Sequence, residues 1–250
     1  MDFERHCTEI VAQTEQLVAD VTGADLRSPV PSCPGWTLGM LLRHIGGGHR
    51  WAADVVRLRP DDWPDDDIIR KVEGDDTGTP PIDWLLAGAE GLAAALRDAG
   101  PDLEIFAPFD YDRTTFWARR FANETVVHRA DACLGAGVPF AVATDVAMES
   151  IDEWLELDVH PLHFEMRPAK REVLGAGRSI ALVAPEAEWF VDLTGDVITW
   201  RRGTGDAAVT LRGTATDLLL VLYGRAGTDA VEAAGDRDLL DLWQRTSTFG

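Results

Sequence analysis

Several things are scarce in this chain, and each scarcity removes a class of proteins. Cysteine is limited to Cys7, Cys33 and Cys133, widely spaced and with no C-x-x-C. That is neither a disulfide framework nor a zinc-ribbon or thioredoxin spacing, and it predicts thiols that serve as small buried hydrophobes. Among them Cys33, which falls in a loop, is the first suspect for a nucleophile. Apolar runs are short. None approaches the roughly 20 residues that a membrane-spanning helix needs. Positive charge is in deficit: 23 Lys and Arg against 43 Asp and Glu leave a formal net charge of -20 with no basic stripe. Such a surface repels phosphate backbones and anionic headgroups, so neither nucleic acid nor membrane is expected as a partner. The start, MDFERHCTEI, carries acids and no apolar h-region. No signal peptide is therefore expected, and a cytoplasmic location is. Lysine occurs only as Lys71 and Lys170, a compositional bias toward arginine without functional content.

What remains is ordinary globular material. With 250 residues, 46% of them hydrophobic and 26% charged, the chain suffices for one large domain or two modest ones, each with its own core. The first half reads as helices. Phe3, Cys7, Ile10, Leu17 and Val21 recur at three- and four-residue steps, one buried helical face. After the turn residues Ser32-Cys33-Pro34-Gly35-Trp36, Thr37 is a credible N-cap for a second helix to about Arg59. Pro60 and the acidic stretch 61–67 open a long polar loop to Pro81, of a length that is usually functional or disordered. Further helices are expected over 82–99, from Thr114 or Thr115 to Leu134, and over 145–157. Beyond Pro168 the period shortens: 179–184, 188–194, 197–201 and 209–212 read as strands. Helices follow at 218–223, capped by Thr214, and near 238–245. Helices and strands in separate blocks predict an α+β protein. The expected units are a helical bundle over 1–160 and an α/β domain with an antiparallel or mixed sheet over 161–250.

One helix carries unusual chemistry. On the fourth, Trp117, Phe121, Glu124, His128 and Ala132 follow one another along a single strip, because residues four apart differ by only about 40° around the axis. A carboxylate on a core-facing strip is costly unless something compensates it. Glu124 and His128 could form a buried ion pair, or they could offer an oxygen and a nitrogen to one cation. The second helix places His44 on the strip Leu41, His44, Gly48, Trp51, Val55. Its Gly46-Gly47-Gly48 run sacrifices helix stability, by roughly 1 kcal/mol per glycine against alanine, in a way that would permit close backbone approach and open space beside His44. Two imidazoles and a carboxylate match the ligand set of a catalytic zinc, which leaves a fourth position for water or substrate. A soft thiol suits that position.

The segments CPGWTLGMLLRHIGGGHRWA, from Cys33 to Ala52, and NETVVHRADA, from Asn123 to Ala132, resemble the mycothiol-dependent maleylpyruvate isomerase family, whose first module is a DinB-like four-helix bundle. The resemblance implies zinc, or another divalent metal, on His44, Glu124 and His128. It also implies mycothiol as thiol cosubstrate and a small electrophilic substrate. The family's C-terminal module carries an L-W-G-R-like segment whose arginine assists catalysis. The counterpart here is Leu222-Tyr223-Gly224-Arg225, with Tyr in place of Trp, so Arg225 is the expected catalytic arginine.

Other residues receive lesser expectations. His49 lies about 140° round the helix from His44 and is expected at the solvent or rim. Asp131 could orient His128 from behind. Arg43 and Arg129 could steer an anionic substrate or form surface ion pairs, and His6, His160 and His163 lack a partner at ligand spacing. The leading function is a zinc-dependent enzyme activating a thiol, either to isomerise a small electrophile or to transfer sulfur to it. A non-catalytic metal-binding or sensing module and a metal-assisted hydrolase are the alternatives.

Overall fold

A computed structural model describes residues 1–62, 65, 82–108 and 111–247. The chain divides into two compact units, Met1–Phe140 and Ala141–Gly250. The first contains helices α1 (Phe3–Val21), α2 (Leu38–Leu58), α3 (Ile82–Ala99) and α4 (Thr114–Ala136). Local caps close the ends. Asp2 accepts from the Arg5 amide at 2.8 Å, Thr37 Oγ1 accepts from the Met40 amide at 3.3 Å, and Gly137 ends α4 in the left-handed region at φ 70°. The helices α1 and α2 each pack against both α3 and α4, which is the neighbour pattern of a four-helix bundle. Two clusters fill the interior. One joins Cys7, Ile10, Leu92, Trp117 and Phe121, the other Leu17, Leu38, Leu41, Leu85 and Ala132.

Most of the polar loop expected at 61–81, and with it any lid it might form, lies outside the described residues. Close approach, expected at the α2 glycines, is met at Gly46: a Cβ there would come within 2.1 Å of the Trp84 ring, so the bare backbone seats an α3 indole. Arg50 locks the contact, donating to the carbonyls of Gly46 at 2.9 Å and Trp84 at 2.6 Å with its guanidinium over the Trp84 ring.

In the second unit, α5 (Thr144–Asp158) and α6 (Pro161–Met166) precede a five-stranded sheet. Strands β1 (Ser179–Val183), β2 (Glu188–Asp192) and β3 (Thr199–Arg202) form an antiparallel meander. Strand β4 (Val209–Arg212) joins β1 in parallel, and β5 (Glu232–Gly235) pairs antiparallel with β4. The sheet order β3-β2-β1-β4-β5 is therefore mixed. Between β4 and β5 runs α7 (Ala215–Leu222), capped by Thr214, and α8 (Arg237–Ser247) closes the described chain. Alternation along the strands buries Ile180, Leu182, Trp189, Val191 and Leu211 together with Leu218, Leu240 and Trp243.

The sequence expectation grouped α5 with the bundle by cutting at 160/161, whereas the compact units divide at 140/141. The reason lies in its side chains. Asp152 accepts from the Trp189 indole at 2.8 Å and from Arg202 Nη2 at 2.6 Å, and Trp154 meets the rings of Tyr223 and Trp243 edge-on. Among the described residues no helix is long and apolar enough to cross a membrane.

Candidate functional site

Helix α4 is buried around nearly its whole circumference midway along, with Phe121, Ala122, Asn123, Thr125, Val126, Val127, Ala130 and Asp131 all inaccessible. Glu124 and His128 interrupt that burial. Their side chains remain 39% and 17% exposed. The strip expected to face inward is thus a polar window in a buried helix, and His44 of α2 is half-buried beside it. The His44 and His128 rings meet edge-on with centroids 5.0 Å apart, and His128 Nε2 lies 3.2 Å from Glu124 Oε2. Glu124 and His128 therefore lie at donor-to-donor distance, with the His44 ring packed against the His128 ring.

Behind them stands a second tier. His128 Nδ1 lies 2.9 Å from Asp131 Oδ2, while Asp131 Oδ1 accepts from the Ser32 hydroxyl at 2.5 Å. Asp131 is fully buried, so it acts from behind the imidazole. With Nδ1–H donated to this carboxylate, Nε2 is the nitrogen turned to Glu124, where it donates a proton in the imidazolium form and would offer its lone pair to a cation on losing it. Arg120, one turn before Glu124, donates to Glu124 Oε1 from Nε at 3.1 Å and from Nη2 at 2.9 Å. Sequence reasoning missed Arg120, although its i,i+4 spacing to Glu124 was the available signal. Trp36, also missed, packs edge-on against His44 at 5.0 Å.

The electrostatics follow from this geometry. Desolvation works to raise the Glu124 pKa, but the Arg120 charge and the hydrogen bond and charge of His128 outweigh it and hold the carboxyl well below the usual carboxylate range. Desolvation likewise works to lower the His128 pKa. Hydrogen bonds to Asp131 and Glu124 overcome it and push the imidazole up to about 9.

His49 is not at the rim. It is buried, with Nε2 2.9 Å from Thr125 Oγ1. The Thr125 hydroxyl itself donates to the Phe121 carbonyl at 2.7 Å, so His49 Nε2 is the donor to it. Burial, followed by the Arg50 charge, lowers the His49 pKa to about 3, and the ring is neutral. Arg129 is also internal, donating to Asp20 at 2.7 Å and Gln13 at 2.9 Å, and so braces α4 against α1. Cys7 and Cys133 are buried, their thiols pushed up to about 11 and about 12 by desolvation. Cys33 is only half-buried, and its Sγ lies within 4.8 Å of ligand atoms of both His128 and Asp131. Arg225 belongs to the second unit, in the turn after α7. There Gly224 is left-handed at φ 69°, and Arg225 Nη1 donates to the Tyr223 carbonyl at 2.6 Å.

A zinc test of the donor set can be made on distance alone. Two ligands each 2.0–2.1 Å from a tetrahedral zinc lie about 3.3 Å apart, and the His128 Nε2 to Glu124 Oε2 separation is 3.2 Å. The residues fit.

Comparison with known proteins gives the family. The family model described as mycothiol maleylpyruvate isomerase N-terminal domain matches residues 7–133, and the one described as MDMPI C-terminal domain matches 145–242. Two solved structures, a mycothiol-dependent maleylpyruvate isomerase and a histidine-to-alanine mutant of it, each superpose with a TM-score of 0.63 at 14% identity. The match covers 94% of this chain and 93% of each of those chains. No curated protein matches in sequence.

Proposed function

The chain belongs to the mycothiol maleylpyruvate isomerase family of enzymes, and from that premise we propose that it is a zinc-dependent isomerase using mycothiol as its thiol cosubstrate. The observation that supports the metal assignment is the Glu124–His128 donor pair at 3.2 Å with the His44 ring packed beside it. Bound there, zinc would supply a charge that lets a thiol be deprotonated near neutral pH. The chain's own residues do the rest. Asp131, held by Ser32, fixes the tautomer and angle of His128, Arg120 restrains Glu124, and Trp36 and the His44–His128 contact set one wall. Arg225 is assigned the stabilisation of negative charge on an acidic substrate, on the family resemblance of its segment. Addition of the thiol sulfur to a substrate double bond leaves a single bond free to rotate, and elimination of the same sulfur returns the thiol. Retention of the adduct would make the outcome S-transfer instead, and both share the first step.

His128→Ala is the direct test, read as bound zinc per chain and as mycothiol-dependent turnover. Both should be lost together. Undiminished turnover in a metal-free His128→Ala protein would refute the proposal, and turnover without added thiol would replace it with hydrolysis.

A further inference from the structure

The proposed ligands come from two helices, and their spacing is fixed in two different ways. Glu124 and His128 stand one turn apart on α4, so that helix by itself holds Glu124 Oε2 and His128 Nε2 at 3.2 Å. His44 comes from α2. Its distance from the pair depends on how α2 lies against α4, and the burial of apolar side chains is non-directional and sets that register only coarsely. A hydrogen bond between the two helices sets it finely. His49, further along α2, places Nε2 2.9 Å from the hydroxyl of Thr125, the residue after Glu124 on α4. That hydroxyl is itself held, donating to the Phe121 carbonyl at 2.7 Å, so the direction of the bond is fixed at both ends. His49 and Thr125 are sealed from solvent at 2% and 1% exposure. The rings of His44 and His128 lie near enough to His49 that each works against a charge on it.

The bond is retained at the expense of an unmet one. His49 Nδ1 is buried with no hydrogen-bond partner among the described residues, which makes the imidazole a poorer core residue than a hydrocarbon ring of similar size. Packing alone therefore does not account for a histidine here, whereas the contact with Thr125 does. We propose that His49 is a positioning residue for the metal centre: through Thr125 it fixes α2 against α4, and thereby the place of His44 relative to Glu124 and His128. The inference rests on the metal assignment above and deepens it. His49 acts through the helices, with its donor nitrogen committed to Thr125.

The test is zinc affinity of the full chain, measured by competition against a chromophoric chelator, with urea unfolding of the same metal-free preparations. His49→Phe keeps a ring and removes Nε2–H. Its zinc affinity should fall about tenfold, the lower end of what partners touching a ligand directly produce. Its metal-free stability at pH 7 should be no lower than wild type, because the unpaired Nδ1 goes as well. A purely structural role predicts the reverse, lost stability with affinity intact. His49→Gln, whose amide N–H stands as many bonds from the backbone as Nε2, should restore wild-type affinity. Thr125→Val should match His49→Phe, Thr125→Ser should match wild type, and His49→Phe with Thr125→Val should lose no more than either alone, since each removes the same bond. The Thr125 variants carry the comparison if His49→Phe does not fold. Unchanged zinc affinity in His49→Phe or Thr125→Val overturns the role of His49 and leaves the metal assignment standing. Additive losses in the double variant, or a His49→Gln as weak as His49→Phe, also overturn it. Zinc held no more tightly by wild type than by His128→Ala sinks the metal assignment itself, and the positioning role with it.

Discussion

Both units bury charge, and they do so in opposite ways. In the second, Lys170 and Asp158 are 1% and 2% exposed and face each other at ion-pair distance, the ammonium also meeting the Asp158 carbonyl. In the first, Glu124, His128 and Asp131 form a chain graded from 39% through 17% to 0% exposure. A closed pair satisfies itself and has nothing to offer a ligand. A graded chain keeps its inner member as an anchor and its outer members as donors. Desolvation acts on both, yet burial raises Asp158 to about 6 despite its lysine, while Glu124 stays below the usual range because Arg120 and His128 remain around it. Sealed charge is architecture, and charge left open at one end is a site.

The largest break in this comparison comes from opening the sealed pair. Lys170→Met should destabilise the chain by about 3–5 kcal/mol, because Asp158 is left buried without a counter-charge. Lys170→Met with Asp158→Leu should recover most of that loss, since an apolar pair of similar volume needs no compensation. Urea unfolding of the two variants measures it. Recovery is the informative arm. A double variant as unstable as the single one would show that the pair does more than neutralise itself.

How far the sequence reached differs between the two units for physical reasons. The starts of α2 and α7 were legible because Thr37 and Thr214 are local signals that cap within three residues. Strand β5 was missed: Glu232-Ala233-Ala234-Gly235 has no β-branched or aromatic side chain, and only pairing with β4 makes it a strand. The burial of His49 was missed because helical angle relates it only to its own helix, while α4 supplies Thr125 from 76 positions away. Spacing alone put His44, Glu124 and His128 on two helices, and the family resemblance joined them. Nothing local could place Ser32 against Asp131 at a separation of 99 residues. The candidate donors, and Asp131 behind His128, were thus readable from helical spacing, and the Ser32 contact was not.

Neutral buried histidine adds a pH dependence shared by both units. His49 is lowered to about 3 and His163 to about 4, in each case first by burial. Unfolded histidine titrates near 6.5, so below that pH the unfolded chain takes up protons that the folded chain refuses. The stability these residues contribute is complete above about pH 6.5 and is lost progressively on acidification toward 4 and 3. His49→Phe removes one of the two. Between pH 7 and 4.5, wild type should lose about 2–3 kcal/mol more than this variant, at about 1.4 kcal/mol per unit of unmatched titration. Parallel curves for the two proteins would mean that His49 is protonated in the folded chain.

The smallest effect separates anchor from donor within the graded chain. Asp131→Asn keeps the size of the side chain and its reach to Ser32 and His128, and removes the charge. An amide oxygen still accepts the Nδ1–H of His128, but more weakly, and an amide rotated the other way would present N–H to that nitrogen and favour the wrong tautomer. Metal affinity should fall about 10- to 100-fold, as for other partners that orient a ligand histidine. Zinc competition against a chromophoric chelator measures this without reference to turnover. At saturating zinc, turnover should return to near wild type, because Asp131 touches neither thiol nor substrate. If zinc does not restore it, Asp131 takes part in the chemistry itself, and the line drawn between the buried end of the chain and its open end moves one residue inward.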